Sequence, residues 1–487
     1  MNNRLAMKTK QQVEFGDFQT PRGLAAAVCR VLKRRRALPA SIVEPTCGVG
    51  QILSAALTAF PEFQQALGME LNTSHLRDAK RTIGAAGGRV KLRKADFFHT
   101  DWSKAFSCLP EPILIIGNPP WVCNSELGAI GGTNLPTKSN ASRSRGIDAI
   151  TGKSNFDVSE SMISRLLDAL QGRIATLAML CKTSVARKVL AKAWQDEALI
   201  QRTTVHRIDS QKTFGVAVDA CLLTVDVGDR AGKQECQVFD RLDARTSNSR
   251  FGMRDGRLVA DISLYNRRSS LLVGSRDRWR SGIKHDCARV MELRQEGSRF
   301  RNGLGELVEL ETRYLYPMLK SSEIASTGNA TPTRWMLVPQ QCVGEETNSI
   351  EHIAPQTWHY LQSHRDRLSR RASAIYRGKP PFSIFGVGAY SFTPWKVAIS
   401  GLYKELSFTI LGPHQSKPIV LDDTCYALSF DSRESAANYC DLLNDDAVKE
   451  ALNALIFWDS KRPITAGVLN LVDVSQLASQ RTSRQVA

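Results

Sequence analysis

At 487 residues the chain exceeds what one hydrophobic core usually supports, so two domains are expected. Its hydrophobic content of 42% is ordinary, and no apolar run approaches the roughly 18 residues that span a bilayer. Met1–Lys10 is polar and basic without the apolar centre of a signal peptide, so a cytoplasmic location and no membrane partner are expected. The formal net charge of +17 suggests a polyanionic partner, nucleic acid first, against the plainer alternative of a generally basic protein.

Eleven cysteines, an odd number with no Cys-x-x-Cys pair, favour buried thiols over disulfides or a zinc site. Cys47 and Cys181 lie in apolar stretches and are expected to pack.

Taken in order, Phe15–Pro21 leads into Leu24, Ala25, Val28 and Leu32, a helical spacing that begins just after the proline. Ser41–Gly50 (Ser-Ile-Val-Glu-Pro-Thr-Cys-Gly-Val-Gly) reads as a strand, a glycine turn and then a helix over about 51–60. Glycines at such a turn let the backbone approach a ligand closely, although a lone Gly-x-Gly is weak and a third glycine is missing. A second strand, Ala66–Asn72, places Glu70 roughly twenty residues after the turn, where doubly wound folds put a carboxylate for ribose hydroxyls. The plain alternative there is a surface acid before a helix. A third strand, Val90–Phe98, ends in Asp96 and Phe97, an acceptor for an adenine amino group followed by a ring to pack on it.

The fourth strand carries the sharpest signal. Ile113-Leu114-Ile115-Ile116 fits a central parallel strand covered on both faces, and it stops in Asn118-Pro119-Pro120-Trp121. The prolines lack N–H groups and fix φ, so the chain leaves the sheet in one rigid path. An amide is thereby held at the carboxyl edge, where open α/β sheets bind ligands. That arrangement suits methylation of a planar exocyclic amine, whose lone pair is delocalised into a ring. The Asn118 side-chain oxygen and the Pro119 carbonyl can accept its two hydrogens and draw the nitrogen toward sp³. Trp121 offers a face for stacking, worth roughly 1–3 kcal/mol per base. The plain alternative is a Pro-Pro loop with a packed Trp.

Four strand ends in series, each with one suitable group, resemble the S-adenosylmethionine-dependent amino-methyltransferases of DNA, in the order with the catalytic region first and the target-recognition region last. The resemblance covers roughly residues 15–225. It implies a class I (Rossmann-like) α/β domain with S-adenosyl-L-methionine as cofactor. Thr20 and Pro21 would lie near the methionine part of the cofactor, and Glu44, Thr46, Gly48 and Gly50 would line its loop. Glu70 would take the ribose, Asp96 and Phe97 the cofactor adenine, and Asn118 to Trp121 the target base.

Residues 122–155 are rich in Gly, Ser, Asn and basic residues with little periodicity, as in a functional loop. Gly152-Lys153-Ser154 within it is not a phosphate loop, because neither the glycine spacing nor a preceding strand is right. Lys138, Arg143, Arg145 and Lys153 are expected to face phosphates. A helix over 156–170, a buried strand at 173–180 ending near Lys182 and Thr183, a basic helix from about 185 and a strand over 199–209 follow. Phe214–Val225 reads as the closing strand, with Phe214, by the resemblance, on the far side of the flipped base; a core Phe is the alternative.

From about residue 229 the alternation fades. The expected organisation is a methyltransferase domain over 1–228, a linker over 229–258, a mixed α+β target-recognition domain over 259–476 and a frayed tail over 477–487. In the second half Ser383–Phe392 and Trp395–Ser400 alternate like paired strands. Lys284, Arg370, Arg371 and Arg377 are candidate phosphate contacts, which position a protein without reading sequence. His285 and Asp286 suggest a general base less readily than a satisfied structural histidine. Ile456–Thr465 resembles the recognition regions of restriction–modification methyltransferases.

The expected function is methylation of adenine N6 in a specific double-stranded DNA sequence after base flipping. A separate restriction endonuclease fits as a partner, and no metal is implied. N4-cytosine, RNA bases, a protein glutamine or an inactive binding protein remain alternatives for the same pocket.

Overall fold

The structure is a computed structural model that describes residues 19–84, 87–122, 157–215, 218–325, 331–475 and 477. Two compact units divide the chain at Ile262/Ser263.

The first unit alternates helices and strands: α1 (Arg22–Arg34), β1 (Ser41–Glu44), α2 (Gln51–Ala59), β2 (Gln65–Glu70), α3 (Thr73–Ile83), β3 (Val90–Lys94), α4 (Trp102–Ser107), β4 (Ile113–Gly117), α5 (Val158–Ala169), β5 (Ala175–Lys182), α6 (Thr183–Gln195), β6 (Ile200–Ile208), α7 (Ser210–Phe214) and β7 (Ala220–Val227). Helix α1 starts at Pro21, whose extended φ/ψ of −60°/143° sets the entry, and buries Leu24, Val28, Val31 and Leu32 along one stripe. Asn72, Asp101, Asp157 and Asp209 cap α3, α4, α5 and α7 by accepting main-chain N–H bonds of the first turn.

Strand β4 is buried on both faces, with Ile113, Leu114, Ile115 and Ile116 at most 1% exposed. Each such side chain contributes about 1.5–3 kcal/mol of burial. It lies between parallel β1 and β5, inside the parallel set β3-β2-β1-β4-β5. β7 runs antiparallel between β5 and β6. Phe214 belongs to the short helix α7 rather than to the closing strand, because the Asp209 carboxylate caps that helix through Lys212 N–H at 3.0 Å.

The stretch 229–258, expected as a linker, extends the sheet instead. β8 (Glu235–Phe239) pairs parallel with β6, and β9 (Ser249–Arg254) and β10 (Arg257–Val259) continue as a meander, giving a ten-stranded sheet. Three of its charges pair with one another within the sheet. Glu235 meets Arg250 at 3.3 Å and Arg254 at 3.1 Å, while Cys236, Val238, Phe251 and Met253 face inward.

The second unit holds a six-stranded and a four-stranded sheet. One core of this unit gathers Met291, Phe300, Leu315, Trp335, Tyr360 and Ile384. Trp395–Ser400 is a strand, but it pairs with Thr409–Leu411 and Cys425–Phe430, not with 383–392. That segment makes a single bridge, Phe385 with Lys284, and then a 3₁₀ turn at Ala389–Ser391. Positive φ at Phe382 (62°) and Gly386 (69°) breaks the extended run that its alternation suggested. His285 is buried and structural: its Nδ1 accepts Cys287 N–H at 3.1 Å and its Nε2 lies 3.4 Å from Glu292.

Candidate active site at the carboxyl edge of the parallel strands

The turn after β1 is built on two left-handed glycines, Gly48 at φ 50° and Gly50 at φ 80°. A Cβ on Gly48 would stand 2.9 Å from Gln19 Oε1, and one on Gly50 3.2 Å from Ala79 Cα, so only glycine keeps this turn close to its surroundings. Two acids hold it from below. Glu44 is 2% exposed and accepts Leu53 N–H at 2.9 Å. Burial pushes its carboxyl well above the usual range, the Leu53 bond opposes that, and nearby Glu70 adds to it. Glu70 accepts Gly48 N–H at 2.9 Å and Asn72 N–H at 2.7 Å, so it ties the turn to the start of α3. Thr46, between Glu44 and the turn, is half-buried.

At the end of β3, Asp96 accepts Phe98 N–H at 2.8 Å and pairs with His99 Nδ1 at 2.9 Å. Burial alone would raise its carboxyl, but the bonds from His99 and Phe98 outweigh it and hold it below its ordinary value. Phe97, expected as an adenine platform, is 6% exposed and packs on Trp102 at 4.9 Å. The neighbouring ring of Phe98 is the half-buried one, with the Arg165 guanidinium 5.1 Å from its centroid.

After β4, Asn118 meets the first segment of the chain. Its Nδ2 donates to Thr20 Oγ1 at 3.2 Å, and Thr20 is itself 7% exposed. This bond engages Nδ2 and so turns Oδ1 away from Thr20, where the oxygen is buried. Pro21, next to Thr20, is exposed and opens α1 by accepting Leu24 and Ala25 N–H, each at 3.0 Å. Pro119 is buried and Pro120 half-buried. Trp121 is 7% exposed, donates Nε1–H to Leu180 O at 3.2 Å and meets Phe214 edge-to-face at 5.2 Å and 72°. A base stacked between two rings needs roughly 7 Å between them, twice the ~3.5 Å carbon contact distance. The two rings therefore touch each other here.

The structure brings together Thr20, Glu44, Gly48, Gly50, Glu70, Asn118, Trp121 and Phe214 at one sheet edge, in contacts between successive loops. Lys138, Arg143, Arg145 and Lys153 lie outside the described residues. Of the other cations, Arg370 and Arg377 are exposed. Arg371 is a structural bolt instead: it donates to Leu368 O (2.7 Å), His285 O (3.1 Å) and Ser383 O (2.7 Å) and covers the Tyr376 ring at 3.6 Å. Lys284 pairs with Asp286 at 2.7 Å and lies 3.9 Å from Asp423, so its charge is matched locally. Sequence reasoning missed Gln19, whose Oε1 accepts Val49 N–H at 3.4 Å, and gave no role to Lys182. A charge ending an apolar strand was the available signal for Lys182. Among the described residues no group of three His, Cys, Asp or Glu side chains is arranged to hold a metal, and no helix is long and apolar enough to cross a membrane.

The parallel order β3-β2-β1-β4-β5, the antiparallel β7 between β5 and β6 and the glycine turn after β1 define a class I, Rossmann-like methyltransferase unit, here followed by a separate mixed unit. The chain is 44% identical over 471 residues to the Type II methyltransferase M.NspV of Nostoc sp., a match spanning 96% of this chain and 98% of that one. It belongs to the Type II methyltransferases of restriction–modification systems. In fold it is similar to the Type IIL restriction-modification enzyme MmeI in complex with DNA, with a TM-score of 0.53 and 14% identity over 95% of this chain and 69% of that one. No protein-family model matches the chain.

Methyltransferases of this class draw on S-adenosylmethionine, and the residues present fit it. The Gly48–Gly50 turn leaves a cradle that a side chain would fill, at the start of α2, beside the carboxylate of Glu70.

Proposed function

We propose that the chain methylates the N6 amino group of adenine within a specific sequence of double-stranded DNA, after the base has left the duplex. The observation that carries this reading is the Asn118 amide, oriented by Thr20 at the end of a strand buried on both faces and two strand ends from Glu70.

When bound, S-adenosylmethionine supplies a methyl group on a sulfonium, an electrophile that needs no metal or covalent enzyme intermediate. Thr20, Gly48, Gly50 and Glu70 would hold it, with Asp96 at the end of the next strand. Asn118 Oδ1 and the Pro119 carbonyl accept the two hydrogens of the target amine and localise its lone pair toward the methyl group. Trp121 and Phe214 would separate to take the ring between them; each stacked face repays roughly 1–3 kcal/mol, against an unstacking cost of a few kcal/mol. The methylated nitrogen then releases one proton to solvent, so transfer of CH₃⁺ is balanced by loss of H⁺. Positioning and hydrogen bonding carry the rate.

Exposed cations such as Arg370 and Arg377 would contact the DNA backbone, in line with the +17 net charge. A separate endonuclease would recognise the same site.

Single-molecule sequencing of DNA from cells expressing this chain, beside cells expressing Asn118→Ala, tests the reading. N6-methyladenine at one repeated motif with the intact chain only is expected. N4-methylcytosine at a motif would move the reading to cytosine, and unmodified DNA would move it to RNA or protein amides.

A further inference from the structure

Strand β5 is apolar from Leu177 to Cys181 and yet ends on Lys182. Its ammonium reaches two groups on different parts of the chain, Asp157 Oδ2 at 2.7 Å and the main-chain carbonyl of Trp121 at 3.4 Å. Asp157 is buried, its side chain 6% exposed, and Lys182 is partly buried at 22%. Asp157 is fully used: its Oδ1 accepts Ser159 N–H at 3.0 Å and the Ser159 hydroxyl at 2.6 Å, the cap of α5. Beside it, Val158 N–H donates to Val122 O at 3.0 Å. The chain leaving β4 and the chain entering α5 are thus fastened to each other and to the end of β5.

Trp121 is gripped twice from that strand. Leu180 O holds the indole N–H, and Lys182 holds the main-chain carbonyl two residues further on. Together the two bonds hold the ring and the main chain of one residue against the same strand. An ammonium suits this place because its three N–H donors point in different directions and serve two unlike acceptors at once. Buried ion pairs add little net stability compared with apolar residues of the same volume. Their value at such a site is geometric.

We propose that Lys182 is a positioning residue for the target base: paired with Asp157, it fixes the height at which the Trp121 ring stands beside Asn118. The proposal rests on the reading of Asn118–Trp121 as the target site. Lys182 need not touch substrate or cofactor, and the cofactor cradle on β1 and β2 is built without it.

The test uses the full-length protein and unmethylated DNA carrying the motif it modifies, with single-turnover transfer of labelled methyl groups and calorimetric titration of S-adenosylmethionine. Lys182→Met alone strands a buried carboxylate and risks misfolding. The deciding variant is therefore Lys182→Met/Asp157→Asn, which removes both charges and keeps a side-chain oxygen to cap α5. A displacement of about 1 Å at a reacting centre costs on the order of 10²-fold, so turnover is expected to fall 10- to 100-fold. Cofactor affinity should stay within about twofold of the parent. Lys182→Arg, which can still serve a carboxylate and a carbonyl together, should recover most of the turnover.

Parental turnover in the double variant would reduce the pair to a matter of stability and overturn the proposal. So would a loss of cofactor affinity equal to the loss of turnover. Asn118→Ala is run alongside: if it turns over normally, the reading of the target site fails by itself, whatever Lys182 does.

Discussion

Thr20→Val is nearly isosteric and removes one oxygen. In the folded protein the Asn118 Nδ2–H would then face a methyl group where it now finds Oγ1 at 3.2 Å, at a position where Thr20 is 7% exposed. Removing the acceptor of such a buried donor costs about 1–3 kcal/mol. The amide can recover part of that by turning over, which points its NH₂ toward the incoming amine and sets donor against donor. At about 1.36 kcal/mol per tenfold in rate, turnover should fall roughly 5- to 150-fold. Thr20→Ser keeps the hydroxyl and should stay within about fourfold of the parent, the lost methyl being worth about 0.8 kcal/mol. The assay is single-turnover methyl transfer at saturating cofactor, with cofactor affinity measured separately. Equal losses for Val and Ser, or a loss that appears wholly as weaker cofactor binding, would refute the orienting role and leave Thr20 as a cofactor contact.

Gly50→Val should abolish cofactor binding in calorimetry and lower the unfolding midpoint, because the residue sits at φ 80° and its Cβ would press within 3.2 Å of the α3 backbone. Asp226→Ala should destabilise the first unit by about 3–5 kcal/mol in denaturant titration. It strands Arg35, whose guanidinium donates at 2.8 Å to Asp226 and whose side chain is 10% exposed. His206 is 4% exposed, stacks on Phe239 at 4.3 Å, and has its pKa pushed down to about 4 by burial first and by Arg35 and Arg34 second. The unfolded chain binds this proton below about 6.5 while the folded chain does not. Stability should therefore be fully present above pH 6.5 and fall toward pH 4, by at most about 3 kcal/mol; His206→Gln should flatten that part of the curve in chemical unfolding. Affinity for DNA should drop steeply with salt, and Arg370→Ala or Arg377→Ala should each lower the log–log slope by about one.

What could be read from the sequence was what depends on neighbours along the chain. Pro21 and the Leu24–Leu32 spacing gave α1, the aliphatic run gave β4, and Glu44 to Gly50 gave the turn after β1, because capping, periodicity and positive φ are local properties. Nothing local says which of the two adjacent rings, Phe97 or Phe98, Trp102 will cover. Arg371 looked like its neighbour Arg370 until the carbonyls of His285 and Ser383, remote in sequence, were seen to converge on it. The strands of 229–258 were hidden for the same reason: the pairing of Glu235 with Arg250 and Arg254 is a property of the sheet, not of the segment. Lys182 belongs here too, because its partners arrive from both sides of a long intervening stretch.

A sheet of ten strands has two open margins, and each could recruit a foreign strand. At one margin β3 reads Val-Lys-Leu-Arg-Lys, with Lys91, Arg93 and Lys94 exposed, so an approaching strand meets three like charges. At the other, β10 is three residues long and offers too few free ladder positions to seed a pairing. The extension from β8 to β10 thus moves the margin away from β6, a strand of nine residues. Without it, β6 would be the rim, and its free ladder would offer a copy of the chain a long template to pair with while the protein is being made.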